Sequence, residues 1–286
     1  MRQDQMEPYA AENCLVTEQY ITVDENVELR VLRFYQPKTS NPPVLFIAGW
    51  ITRLPVWKEV LRELTRNFSV DYVETREKKS AKTPAKADYS VKIIAHDIAG
   101  LVSHLYSAKE NYILFGSSLG ATAILEAFHL LPRPPKAMVL VAPNAEFRLP
   151  RWGRLFVRVF YPGFYLVLKP LIKWYLRLFR LDLNYDFAQY EKYCKNLDAA
   201  DPWKLKKAML AFSQYKVWNR LGKINAPTLI IGASKDKLHE PQNIEKMQSM
   251  IPRVVFDDLE TNRKTHSAEM VRTMQRFIKL LDFPDL

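Results

Sequence analysis

The residues best suited to do chemistry stand together at Gly116-Ser117-Ser118-Leu119-Gly120. An apolar run, 112–115, precedes them and a helix-forming stretch, 119–131, follows. A serine on a tight strand-to-helix turn has a strained backbone and needs small neighbours, and Gly116 and Gly120 supply that room. The helix that follows aims its N-terminal amides and dipole at any anion forming beside the hydroxyl. Ser118 is therefore the candidate nucleophile, with the amide of Leu119 as one oxyanion donor. A second donor is expected from the loop after the third strand, Ala48-Gly49-Trp50-Ile51-Thr52-Arg53, where the Trp50 amide is chosen.

A hydroxyl also needs a base. Of the five histidines, His96 and His104 fall inside a predicted helix, His129 near the end of the helix after the turn, and His239 in a loop after a strand. His266 differs by position: it follows the last predicted strand, 254–256, and immediately precedes the terminal helix. In a doubly wound sheet that loop emerges at the strand edge where Ser118 sits. A third group must orient the imidazole and stabilise its charged form. Asp236, just after the strand 227–232, leads, with Glu146 as the alternative and Asp257 and Asp258 as weaker ones.

The elements that would position these residues follow a β-then-α rhythm. Stretches 18–24 and 27–35 alternate around Glu25-Asn26, as an antiparallel hairpin does. The runs 44–49, 70–73, 112–115, 137–141, 227–232 and 254–256 read as strands, with helices predicted over 55–67, 91–106 and 119–131. Such repetition points to a mostly parallel, doubly wound sheet covered on both faces. From about 148 to 221 the rhythm breaks into aromatic, basic, helix-like sequence. The expected organisation is an α/β core over 1–147, a helical cap inserted over 148–221, and the rest of the core over 222–286.

On these residues the chain resembles the α/β-hydrolase superfamily from about 18 to 281, through the Gly49-Trp50 loop, the 116–120 turn, Asp236 and His266. The stretch 50–57 also resembles the family's passage from the oxyanion loop into its first helix. One departure is Ala48, where many members carry a histidine that supports the loop. The resemblance implies acyl transfer: His266 deprotonates Ser118, an acyl-enzyme forms, and water releases it, with no metal or organic cofactor. A serine at this position disfavours the dehalogenase and epoxide-hydrolase branches, which place aspartate there.

Composition bounds the rest. The chain has 286 residues, 48% hydrophobic and 26% charged, enough for a full core. Cys14 and Cys194 have no zinc spacing and read as free thiols in a reducing compartment. The beginning of the sequence lacks a secretory pattern and no run is long enough to span a membrane, which predicts a cytoplasmic protein, in one reading peripheral on the inner membrane face. Net charge is +11, and Arg151, Arg154, Arg158, Lys169, Lys173, Arg177 and Arg180 stand in a stretch without acidic residues. Lys169, Lys173, Arg177 and Arg180 recur at helical spacing among bulky apolar residues. That pattern suits an anionic bilayer surface or a pocket for a long acyl chain, and equally a cap packed over the site with charges for solubility. No nucleic-acid motif is present.

The expected activity is hydrolysis of a carboxylic ester of an apolar or lipid-like molecule. An acyltransferase or thioesterase using the same residues, and a non-catalytic binding protein of the same fold, are the alternatives. Oligomeric state is not legible.

Overall fold

The computed structural model describes residues 6–180, 187–236 and 241–282. His239 and Asp182 lie outside them. Chain order is β1 (Leu15–Asp24), β2 (Val27–Tyr35), β3 (Val44–Ile47), α1 (Lys58–Leu64), β4 (Val70–Glu74), α2 (Val91–Leu105), β5 (Ile113–Ser117), α3 (Leu119–Ala127) and β6 (Ala137–Val141). Then come α4 (Arg151–Val159), α5 (Tyr165–Tyr175), α6 (Phe187–Ala199), α7 (Pro202–Phe212), α8 (Trp218–Leu221), β7 (Thr228–Gly232), α9 (Pro241–Met250), β8 (Val254–Asp258) and α10 (Ala268–Leu281).

The eight strands form one sheet in the order β1-β2-β4-β3-β5-β6-β7-β8. The β1–β2 and β2–β4 pairs are antiparallel and every other pair is parallel. This is the α/β-hydrolase architecture expected from the sequence. Strands β3, β5, β6 and β7 are buried along their whole length, which is why each reads as an uninterrupted apolar run. Their side chains alternate between two cores. Leu45, Ile47, Leu114, Leu140 and Ile230 face α2, α3 and the chain near α8 and α9. Val44, Phe46, Phe115, Val139 and Ile231 face α1 and α10.

The sheet grows from β3 in both directions, to β4 on one side and β5 on the other. The C-terminal ends of β3 and β5 therefore open a crevice at the switch point, the standard ligand position in such sheets. Backbone strain collects along the same edge. Among the described residues, apart from two asparagines, which tolerate the conformation, the non-glycine residues with positive φ are Ile51, Ser118, Ala142, Gln214 and Glu260. Ser118 and Ala142 directly follow β5 and β6, and Ile51 and Glu260 stand in the loops after β3 and β8.

Some predicted boundaries move. Strand β5 runs 113–117 rather than 112–115, carrying the apolar run into the turn itself. The helix predicted over 55–67 splits into a 3₁₀ turn, Leu54–Trp57, and α1, because Pro55 sits at the start of that turn and its ring cannot donate. The helix predicted over 119–131 ends at Ala127 and tightens to a 3₁₀ turn, Phe128–Leu130, before Pro132. Cys14 and Cys194 are free thiols.

Between β6 and β7 the described residues are helical, and the segment leaves and rejoins the sheet through a paired neck. Phe147 N donates to Tyr215 O (3.0 Å), Gln214 N to Phe147 O (2.9 Å) and Val217 N to Ala145 O (2.9 Å).

Candidate active site

Ser118 links β5 to α3 with φ 49° and ψ −113°, a conformation an L-residue keeps only when its surroundings enforce it. Its backbone N–H donates to Val141 O (2.9 Å), and its carbonyl accepts from Thr122 N (3.0 Å) and Thr122 Oγ1 (3.1 Å). Both glycines of the turn are required by space. A Cβ on Gly116 would stand 2.7 Å from Ala121 N, and one on Gly120 would collide with the Ile47 carbonyl at the end of β3.

The loop after β3 lies on this turn: a Cβ on Gly49 would stand 3.2 Å from Ser117 O and 3.5 Å from Ser118 Cβ. Thr52 N donates to Gly49 O (3.2 Å), and Ile51 turns the chain with φ 52°. Trp50 and Leu119, whose amides are the expected oxyanion donors, thus flank Ser118 in neighbouring backbone segments. With Ala48 in place of a histidine, another group supports this loop. The Nζ of Lys78, a buried residue, donates to the Gly49 carbonyl and pairs with Glu77 Oε1 at 3.2 Å. The loop bearing Lys78 is held in turn by Lys204 of α7, whose Nζ donates to Lys78 O (2.9 Å) and Ala81 O (2.7 Å). Burial holds the Lys204 ammonium below its usual pKa.

Asp236 and His266 follow β7 and β8 to this edge, and each contacts Asn262. Asn262 Nδ2 donates to Asp236 Oδ2 (3.1 Å), while the Asn262 carbonyl lies 2.9 Å from His266 Nδ1. Gln189 of α6 adds a second donor to Asp236 Oδ2 at 3.2 Å, and Asp236 itself is buried. A carbonyl can only accept, so Nδ1 must carry the proton. The hydroxyl of Thr265 donates to the same carbonyl (2.8 Å) and therefore offers Nδ1, 3.1 Å away, a lone pair. In the neutral ring this leaves Nε2 unprotonated, the tautomer a general base needs. Trp57, fully buried, stacks on the imidazole with centroids 4.3 Å apart and planes at 25°.

The other acids weighed for this role are engaged elsewhere. Glu146 is paired with Arg148 (2.5 Å) and Lys216 (3.8 Å) at the neck. Asp257 lies 3.7 Å from Arg276. Asp258 Oδ1 accepts from the amides of Ser234 (3.0 Å) and Glu260 (2.9 Å); against the opposing effect of burial, these bonds hold its carboxyl below the usual range. Of the remaining histidines, His129 Nε2 meets Arg220 O at 3.2 Å, far from the edge, and His96 and His104 sit within α2.

Three residues at the site escaped the sequence reading. Asn262 and Trp57 carry no local signal, and Lys78 opens a Lys/Ala/Pro-rich stretch with the composition of a loop. Beside the Gly49-Trp50 loop a cavity of 510 Å³ is lined by Trp50, Ile51, Glu77 and Lys78 from the core and by Asp201 and Leu205 from the helical segment. It has the size of a small-molecule site, though it lies to one side of Ser118. Among the described residues no group of three or more His, Cys, Asp or Glu is placed to hold a metal ion.

Comparison with known proteins adds to this geometry. A family model described as alpha/beta hydrolase fold matches residues 42–261. The pimeloyl-[acyl-carrier protein] methyl ester esterase of Pseudoalteromonas atlantica is 27% identical over 109 residues, 38% of this chain. The chain spans only 40% of the length of that curated relative in the match. An esterase from Thermogutta terrifontis superposes with a TM-score of 0.71 at 20% identity, covering 92% of this chain and 99% of the esterase. A bromoperoxidase from Bacillus anthracis superposes with a TM-score of 0.70 at 16% identity, covering 92% of this chain and all (100%) of the other. An esterase and a bromoperoxidase share the fold equally well, so the likeness speaks for architecture and leaves chemistry to the site.

Proposed function

We propose, from the premise that the chain belongs to the alpha/beta hydrolase family, that it is a serine hydrolase cleaving a carboxylic ester of an apolar or lipid-like molecule. The single observation that carries this reading is Ser118 held at φ 49° between β5 and α3, at the crevice where the Gly49-Trp50 loop crosses it.

In the proposed reaction His266 Nε2 takes the Ser118 proton as Oγ bonds to the carbonyl carbon. The oxygen that becomes negative is held by the amides of Leu119 and Trp50. The carbon–oxygen bond to the alcohol then breaks, and the alcohol leaves with the proton from Nε2. A water repeats the sequence and frees the acid. Asp236 and Asn262 are positioning residues in this scheme: they keep the proton on Nδ1 and stabilise the charged ring. Lys78 is a third, fixing the loop that carries the Trp50 amide. No metal or organic cofactor takes part.

The segment 148–221 is read as a cap over the crevice, between core parts 1–147 and 222–286. Its paired neck and the contact of Gln189 with Asp236 support that division. An apolar cap suits an acyl chain, and its basic residues suit a peripheral position on an anionic bilayer. Hydrolysis of p-nitrophenyl esters of graded acyl length tests the reading. Wild type is expected to turn over, with preference for longer chains, and Ser118→Ala to fall by about 10³-fold or more. Equal rates in the two proteins would overturn the assignment, and activity confined to acetyl esters would overturn the lipid-like substrate.

A further inference from the structure

The outer surface of α4 and α5 departs from what a soluble helix presents. Helix α4 has three faces at about 100° per residue. Gly153 is buried toward the body of the protein. Trp152, Leu155, Phe156 and Val159 point away from it; Trp152 is 76% exposed and Val159 72%. Arg151, Arg154 and Arg158 form the stripe between, and all three are exposed. They line one surface hollow with Leu155, Leu210 and Gln214.

Helix α5 repeats the pattern without charge on its outer face. Tyr165 is buried, its hydroxyl donating to Leu197 O at 2.8 Å. On the opposite side Val167, Leu171, Trp174 and Leu178 follow a spacing of four, three and four, and all are exposed, Val167 by 73%. The lysines of the basic stripe, for which a bilayer surface is one of the readings, are engaged within the protein. Lys173 Nζ bonds Asp198 Oδ1 and Oδ2 at 2.8 Å, and Lys169 lies 3.4 Å from the same carboxylate. Asp198 raises the Lys173 pKa through this bond and is itself held low. The side chain of Arg180 lies outside the described residues. The sequence could show the basic spacing, but not that an acid some 25 residues further on would face it.

Among the described residues no single helix is long and apolar enough to cross a membrane; α4 and the stretch Pro162–Leu178 meet at a 99° bend. Helix α4 spans about 13 Å, less than half of the ~30 Å hydrocarbon thickness, and carries arginines along its length. That geometry suits helices lying in the plane of the headgroups, apolar side down.

We propose that the outer face of α4 and α5 docks on an anionic lipid leaflet. Trp152, Phe156, Val159, Val167 and Leu171 enter the acyl boundary, and Arg151, Arg154 and Arg158 receive lipid phosphates. Charge complementarity selects the lipid over a protein partner of ordinary composition: the stretch 148–181 has no acidic residue, and the exposed arginines flank the apolar face where headgroups would stand. The inference rests on reading 148–221 as a cap and not on turnover at Ser118.

The test is co-sedimentation of the full chain with vesicles of phosphatidylcholine alone or with about 30% phosphatidylglycerol, in low salt. Wild type is expected to bind the anionic vesicles at least tenfold more strongly, and less as salt rises. Arg151→Gln/Arg154→Gln/Arg158→Gln should lose about 100-fold on anionic vesicles. Val167→Ser/Leu171→Ser should lose binding to both. Each variant should keep the wild-type melting temperature and rate on a soluble short-chain ester, since none touches the site. Absent or charge-indifferent vesicle binding overturns the proposal. So does a lipid-free wild type that sediments as an oligomer and becomes monomeric in Val167→Ser/Leu171→Ser, which would make the face a protein interface. Vesicle binding without any ester turnover would leave docking standing and overturn only the hydrolase reading.

Discussion

The C-terminal edge of the sheet and the outer face of α4 and α5 handle polarity in opposite ways. At the edge, polar and charged groups are buried or half-buried and tied to several partners: Lys78 to Gly49 and Glu77, Asp236 to Gln189 and Asn262, the half-buried His266 through Nδ1 to Asn262 and Thr265. On the cap the reverse holds. Trp152, Val159 and Val167 stand in solvent while the neck and inner faces carry the contacts that fix the segment. Groups locked in strained geometry belong to a place where position matters at the scale of a bond. Apolar groups left outside belong to a surface that meets something other than water.

The largest effect that separates the regions is on stability. Phe115 is fully buried against Phe46 and Trp57, so Phe115→Ala should cost about 3–5 kcal/mol. Leu171 is 56% exposed, and Leu171→Ala should stay within about 0.5 kcal/mol of wild type. Denaturant unfolding compares them. Comparable losses would mean that the cap's outer face is a packed interior after all.

Next in size is a change in rate. Lys78→Met removes the donor to the Gly49 carbonyl and should lower kcat by about 10- to 100-fold with little change in KM. It also leaves Glu77 as a buried carboxylate without its cation, which destabilises. Lys78→Met/Glu77→Gln should recover the melting temperature but not kcat. Recovery of both would reduce Lys78 to a structural residue.

The smallest effect is on pH dependence. The folded-state pKa of Asp258 lies below its unfolded value, so its contribution is complete above about pH 4, the ordinary carboxylate value, and is lost as pH falls through the folded pKa. Thermal melts between pH 2.5 and 5 should show a shallower acid loss in Asp258→Asn than in wild type. Parallel curves would mean that its bonds to the Ser234 and Glu260 amides add nothing to stability.

Legibility in the sequence followed the range of the contacts involved. The strands of the sheet centre were visible because burial on both faces demands apolar residues throughout, as in β3, β5 and β6. The turn at Ser118 was visible because the two small residues it requires, Gly116 and Gly120, fall within five residues, even though the carbonyl that crowds Gly120 comes from β3. Asp236 and His266 could be nominated from their places after β7 and β8. The asparagine that stands between them could not, because a carbonyl and an amide serving as a bridge leave no pattern. Lys78 and Trp57 were hidden for the same reason: each acts on a partner, Gly49 or His266, brought near only by the sheet. The basic spacing over 169–180 was legible, but not the acid that meets Lys169 and Lys173, since Asp198 reaches them from another helix.

The proposed chemistry turns on one hydroxyl at the strained edge, that of Ser118. Intact-mass spectrometry after treatment with a fluorophosphonate, followed by peptide mapping, reads it directly. One adduct per chain is expected, on Ser118, absent in Ser118→Ala and formed much more slowly in His266→Ala. An unlabelled, folded wild-type protein, or an adduct that persists in Ser118→Ala, would contradict it.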